Sequence, residues 1–202
     1  LDLSDKNVRH NIGVVAMTAT QFVGFDGVHF DIEPVWDDDR DFITLLREMR
    51  EIVPQGRKIS VALAEYIPGS FVWFTENILD LKNYNTEINY RNVARYADQI
   101  VVMVYDTGIN SDWKYRWLVK EQTIRVTNLF KEKEVFIALP AYDEEKEGFN
   151  PKVENLENGL KGVIEGLNNF RSKDSNFAGI AIYPHWQIDN NEWEIYDNLW
   201  LK

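Results

Sequence analysis

The 202-residue sequence predicts an α/β fold with a parallel sheet, a (β/α) barrel in preference to a doubly wound sheet. Three observations carry this prediction. Helical and strand periodicities alternate from end to end, with no linker, low-complexity segment or repeat between them. The run Ile100-Val101-Val102-Met103-Val104-Tyr105 is apolar toward both faces, which suits a parallel strand covered on both sides. Lys58 to Ala64 sets Ile59, Val61 and Leu63 on one side and the small Ser60, Ala62 and Ala64 on the other, a pattern expected where a tapering barrel interior meets the small side.

The elements follow in order. Val8, Ile12, Val15, Ala19 and Phe22 have helical spacing over residues 4–21, and Gly24 supplies a stop. Residues 25–33 read as a strand. The acidic run Asp37, Asp38, Asp39 and Asp41 precedes a helix marked by Phe42, Leu45, Leu46, Met49 and Ile52, where negative charge favours the first turn; Pro54 and Gly56 end it. After the strand 58–64, residues 65–86 read as a long loop bearing Tyr and Trp, a length associated with function. A short helix over 88–97, the strand 99–106, a helix over about 112–131 and the strand 135–140 come next. Leu156, Leu160, Val163, Ile164, Leu167 and Phe170 mark a further helix, followed by the strand 179–183 and a last helix over about 191–200. No Gly-rich phosphate loop follows any strand, so nucleotide binding is weakly supported.

Composition narrows the chemistry. With 45% hydrophobic and 13% aromatic residues the chain can bury a sizeable core, which excludes disorder, and no stretch approaches a membrane-spanning apolar run. The absence of cysteine excludes disulfides, thiolate metal sites and a cysteine nucleophile. A net charge of −11 without a basic run argues against nucleic acid or an anionic membrane as the main partner.

The most informative stretch is Asp26-Gly27-Val28-His29-Phe30-Asp31-Ile32-Glu33. Strand alternation sends Val28, Phe30 and Ile32 to one face and His29, Asp31 and Glu33 to the other. Carboxylates this close perturb each other's ionisation, and Glu33, nearest the C-terminal strand end, lies where barrel enzymes keep their chemistry. A structural reading stands beside this: His29 and Asp31 satisfying one another in an ion-pair network, or a strand end lying in solvent.

This stretch resembles the Asp-x-x-Asp-x-Asp-x-Glu signature of glycoside hydrolase family 18, the chitinase-like barrels. Met103-Val104-Tyr105-Asp106 resembles the family's Met-x-Tyr-Asp segment on the sixth strand, and Gly179-Ile180-Ala181-Ile182-Tyr183 resembles its eighth. The sequence departs from the pattern twice. His29 replaces the second Asp, so that an imidazolium would hold Asp31 by charge in place of proton sharing between carboxylates. Tyr183 replaces the Trp that floors the sugar site, with Trp186 as an alternative platform.

Asp31 and Glu33, two residues apart on one strand, can hardly flank a glycosidic bond as acid and nucleophile, and this family is an exception to that scheme. The resemblance implies substrate-assisted retaining hydrolysis: Glu33 protonates the leaving oxygen and later serves as base toward water, while the substrate's 2-acetamido oxygen attacks the anomeric carbon. It further implies that Asp31 stabilises the developing oxazolinium and Tyr105 donates to the acetamido group. Asp106 is implied as a sugar-hydroxyl contact, and Asp26 as support near the strand base. The substrate expected is a glycan containing N-acetylglucosamine, of chitin, peptidoglycan or N-glycan type, with no metal or organic cofactor and an extracellular or cell-surface setting. The alternatives are a non-catalytic glycan-binding relative, with His29 as the sign of lost proton management, and a structural or protein-interaction barrel.

Other residues have two readings each. Trp36, Tyr66, Trp73 and Tyr142 lie beyond predicted strand ends, as sugar platforms or as loop packing. Trp113 and Trp117, four apart on a helix, predict core packing for at least one. His10 reads as a surface residue, and His185 as one able to reach the mouth; three His with no close pair disfavour a metal site. Asp37 to Asp39 read as helix N-terminal charge in preference to a cation site, and residues 143–148 as a solvated loop.

Barrels of this kind run to about 250 residues, yet the signature strand, fourth of eight in the family, arrives some two dozen residues into a chain that opens on Leu1. The expectation is therefore that residues 1–202 hold the third helix through the eighth strand and helix, strands 4–8 of a (β/α)8 barrel, with strands 1–3 upstream.

Overall fold

The computed structural model describes residues 1–71, 84–144, 148–173 and 175–202, and the chain divides into two units, Leu1–Ile100 and Val101–Lys202. Each is an α/β arrangement of helices and parallel strands.

In the first unit, Asp5 caps helix α1 (Lys6–Met17) by accepting the Asn7 N–H at 2.7 Å. The helix widens into a π-helical segment, Thr18–Val23, and Gly24 at φ 90° ends it, a conformation that glycine adopts without a Cβ penalty. The buried side is Gly13, Ala16 and Thr20, not the predicted apolar stripe: Val15 and Phe22 are 69% and 76% exposed. The reason is close approach. A Cβ on Gly13 would lie 2.7 Å from Ile52 Cδ1 and 3.1 Å from Met49 Cε, so small residues bring α1 against helix α2 (Arg40–Ile52). Helix α2 follows its sequence pattern, burying Phe42, Leu45, Leu46 and Met49, and Asp39 caps it by accepting the N–H groups of Asp41 and Phe42.

Strand β1 (Gly27–Phe30) pairs in parallel with β2 (Lys58–Leu63), Val28 opposite Ile59 and His29 opposite Ser60. It is shorter than predicted, and Asp31 and Glu33 lie just past its C-terminal end. The region predicted as loop holds a second parallel pair, β3 (Tyr66–Ile67) with β4 (Asn85–Thr86). Two-residue strands have no period to read, so pairing at this separation is decided by tertiary contact. Helix α3 (Glu87–Ala94) buries Tyr90 and Val93, and the Asp98 N–H donates to Ile59 O at 2.8 Å where strand β5 (Gln99–Met103) begins.

In the second unit, the Val104 N–H donates to Ala138 O at 3.1 Å, and β6 (Glu134–Pro140) runs parallel to β7 (Phe177–Tyr183). Helix α4 (Asp112–Leu129) buries Tyr115, Val119, Thr123 and Val126. It packs on α5 (Leu156–Leu167), where a Cβ on Gly162 would lie 2.7 Å from Val119 Cβ and 2.8 Å from the Arg116 carbonyl oxygen. Trp113 and Trp117 are both outside this packing, 64% and 54% exposed, which corrects the expectation of core burial for one of them. Helix α6 (Asn190–Leu199) opens on a capping box between Asp189 and Glu192. Among the described residues no helix is long and apolar enough to cross a membrane.

Candidate functional site

The signature residues of the first unit keep the alternation expected of them. Phe30 is buried and Val28 and Ile32 are partly covered, while His29, Asp31 and Glu33 stand on the exposed side. His29 Nδ1 lies 2.9 Å from Ser60 Oγ, its register partner on β2. Desolvation holds the His29 pKa below its ordinary value, with the charge of Asp31 pulling the other way. Desolvation thus disfavours the imidazolium form and the charge of Asp31 favours it, on a ring whose Nδ1 is hydrogen-bonded with Ser60. Asp26 precedes the strand with its side chain exposed: its Oδ1 accepts from Arg57 at 2.7 Å, and its carbonyl accepts the Lys58 N–H at 2.9 Å.

The segment beyond Glu33 is anchored by residues that sequence reasoning passed over. Asn85 Nδ2 donates to Val35 O at 2.8 Å, and Asp37 Oδ1 accepts the Thr86 N–H at 2.8 Å, so β4 holds the chain that follows Glu33. Of the acidic run, Asp39 does what helix-terminal charge predicts, whereas Asp37 is a loop tether. Trp36 is 60% exposed, Tyr66 is buried with its hydroxyl donating to Glu87 Oε2 at 3.1 Å, and Trp73 lies outside the described residues.

The second unit gathers Tyr105, Asp106, Tyr142, Tyr183 and Trp186. The Ala141 N–H donates to Tyr183 O at 2.7 Å, which sets the ends of β6 and β7 side by side. Tyr105 and Tyr183 stack with centroids 5.6 Å apart and planes 17° from parallel, and Tyr142 meets both edge-on at 6.4 Å. Trp186 meets the Tyr183 ring at 6.0 Å, and His185 lies 5.2 Å from the Trp186 ring. Tyr183 and Trp186 keep 45% and 67% of their surface exposed, so ring area remains open for a ligand.

Asp106 provides the charge beside these rings. Its Oδ1 accepts the Tyr142 hydroxyl, and its backbone is left-handed at φ 59°. Burial first, and then the bond to Asp106, hold the Tyr142 hydroxyl well above the ordinary phenol range, so it stays protonated and donates. Phe149 closes the far side of Tyr142, with ring centroids 4.1 Å apart.

Glu154 lies against the same turn and was not singled out in the sequence. It is fully buried, and its Oε2 accepts the Thr107 N–H at 3.1 Å. Oε1 has no hydrogen-bond partner among the described residues. Desolvation pushes the carboxyl up to about 7, with hydrogen bonds from Thr107 opposing and the charge of Asp106 adding to the rise. Its position between Lys152 and the helical pattern that begins at Leu156 marks a helix-start region, where a carboxylate reads as routine.

No family model and no curated protein matches the chain. Among solved structures it is similar to the spore cortex-lytic enzyme SleL of Bacillus cereus, with a TM-score of 0.62 at 14% identity over 96% of this chain and 53% of that one. The likeness is one of fold, and the chain spans about half the length of that enzyme.

Proposed function

We propose that this chain carries the chemistry of a glycoside hydrolase acting on N-acetylglucosamine-containing glycans, with Glu33 as acid and base of a substrate-assisted retaining reaction. The observation that carries the reading is the half-exposed Tyr183 ring, stacked on Tyr105 and flanked by Trp186, in the same cluster as the Asp106 carboxylate. Open aromatic faces beside a hydrogen-bond acceptor suit a pyranose ring, which has an apolar face and hydroxyl edges. Exposed Asp31 and Glu33 at the C-terminal end of a parallel strand support the assignment of the acid, and the likeness of fold to a cortex-lytic enzyme supports a carbohydrate-processing role.

In this reading Glu33 protonates the leaving oxygen, Asp31 steadies the charge that develops as the acetamido oxygen attacks, and Tyr105 donates to that acetamido group. His29, hydrogen-bonded with Ser60, is disfavoured as a cation by desolvation and favoured as one by Asp31. The fold is proposed as strands 4–8 of a (β/α)8 barrel in an extracellular or cell-surface protein. The side chains of β7 are only partly covered, α6 buries no residue, and Val15, Phe22 and Phe25 stand exposed in the first unit, which supports further elements covering these faces.

The test compares wild type and Glu33→Gln in the full-length protein on chitin oligomers, peptidoglycan and N-glycans. Turnover falls by about 10²- to 10⁴-fold in the variant while glycan binding persists. Absence of Glu33-dependent turnover across the panel removes the enzyme reading. Glycan affinity without hydrolysis by the wild type would then favour a binding protein.

A further inference from the structure

Asp106 holds a left-handed backbone conformation that costs a non-glycine residue energy and persists only where its surroundings enforce it. Three contacts enforce it here: the Tyr142 hydroxyl on its carboxylate, the Gly108 N–H donating to Gly148 O at 2.8 Å, and the Thr107 N–H donating to Glu154 Oε2 at 3.1 Å. The last is unusual in its chemistry. An amide or hydroxyl oxygen would accept the same N–H without burying a carboxylate, yet Glu154 is fully buried and has one oxygen unpartnered among the described residues.

Glu154 is also held in place. Its own N–H donates to Asn150 O at 2.8 Å, and the next residue, Asn155, caps α5 by accepting the Asn158 N–H at 3.0 Å. A rigid turn thus presents a side-chain oxygen as acceptor to the amide that follows Asp106.

We propose that Glu154 is a positioning residue for the sugar site, acting through the Thr107 amide to hold Asp106 so that its carboxylate meets a sugar hydroxyl while Tyr142 occupies its other side. This rests on the glycan reading given above. Glu154 touches no substrate; its effect passes through Asp106.

The test uses the full-length protein with tri-N-acetylchitotriose as the probe, measuring affinity by calorimetry and the amide resonances of residues 106–108 by NMR. Glu154→Ala weakens binding about tenfold, as expected where a buried N–H is left without its acceptor. Glu154→Gln, whose side-chain oxygen still accepts, stays within about twofold of wild type. Introduced into Asp106→Ala, Glu154→Ala costs nothing further, because the residue it positions is gone. Additive losses, or no rescue by Gln, overturn the proposal.

A ligand-free arm separates this from the glycan reading and covers the case of Glu154→Ala failing to fold. In the wild type the Asp106 and Thr107 amides titrate together with a midpoint at about 7, and the titration vanishes in Glu154→Gln. Flat resonances overturn the positioning role. Titrating resonances in a protein that binds no glycan overturn the glycan reading and leave the link between Glu154 and Asp106 standing.

Discussion

Tyr105 and Tyr183 stack ring on ring, 5.6 Å between centroids and 17° from parallel, although 78 positions separate them in sequence (183 − 105). Tyr183 ends β7, and its carbonyl accepts the Ala141 N–H at 2.7 Å, so the backbone of two strands fixes where the ring stands. In the proposed sugar site, a ring fixed in this way needs little ordering when a ligand arrives. Replacing Tyr183 with Ala is expected to weaken affinity for N-acetylglucosamine oligomers about fivefold, from about 1 kcal/mol of ring contact, while Tyr183→Trp retains it. Calorimetric titration of both variants decides this, and equal affinity of Ala and wild type would remove Tyr183 from the site.

Glu154 makes stability depend on pH. Its carboxyl is pushed from an ordinary 4.5 up to about 7 in the folded chain, chiefly by desolvation, so the folded state holds the proton more tightly than the unfolded one. The stabilisation is fully present below about pH 4.5 and is lost as pH rises through about 7. Glu154→Gln, which cannot ionise, is expected to match the wild type near pH 4 and to exceed it at pH 8 by at most about 3 kcal/mol. Denaturant unfolding across this range checks the sign, and a difference that shrinks with rising pH contradicts it.

Two glycines that both face another helix should respond differently to alanine. At Gly13 the added Cβ would meet only the far ends of Ile52 and Met49, which can turn aside, so Gly13→Ala is expected to change stability by less than about 1 kcal/mol. At Gly162 it would meet the Arg116 carbonyl oxygen and Val119 Cβ, which cannot move without shifting α4, and a loss of about 1–3 kcal/mol is expected. Chemical denaturation of the two variants provides the comparison.

Trp113 and Trp117 are exposed despite a spacing that favours burial, with Lys114 Nζ 5.8 Å from the Trp113 ring centroid. Changing both to Gln is expected to alter stability by no more than about 1 kcal/mol in total, against roughly 3–5 kcal/mol for each truncated core Trp. A large loss on thermal or denaturant unfolding would place them in a core.

The alternation of strands and helices was legible because each main element is long enough to show its period. Phe42, Leu45, Leu46 and Met49 repeat at helical spacing, and Ile100, Val102 and Val104 at strand spacing, and all seven are buried. The opposite facing of Phe30 and Asp31 was legible for the same reason, since strand side chains alternate whatever the surroundings. Tyr142 was a candidate from its place beyond a strand end, whereas Tyr105, Asp106, Tyr183 and Trp186 were candidates through the family resemblance of their segments.

Other features were settled only by tertiary structure. Which side of α1 is buried depended on how closely α2 approaches, and the small Gly13 and Ala16 permitted a contact that larger residues would have prevented. The pairing of Tyr66 with Asn85, the tether from Asp37 to Thr86 and the hydrogen bond between His29 and Ser60 likewise depend on partners remote in sequence. Glu154 is the clearest case. A glutamate before a helix is ordinarily solvated, and it becomes a buried group with a raised pKa only when the turn from Asp106 to Gly108 is laid against it. Periodicity and side-chain chemistry reside in the local sequence, whereas desolvation and long-range hydrogen bonds exist only after the chain has folded, and these decide which charged groups can do work.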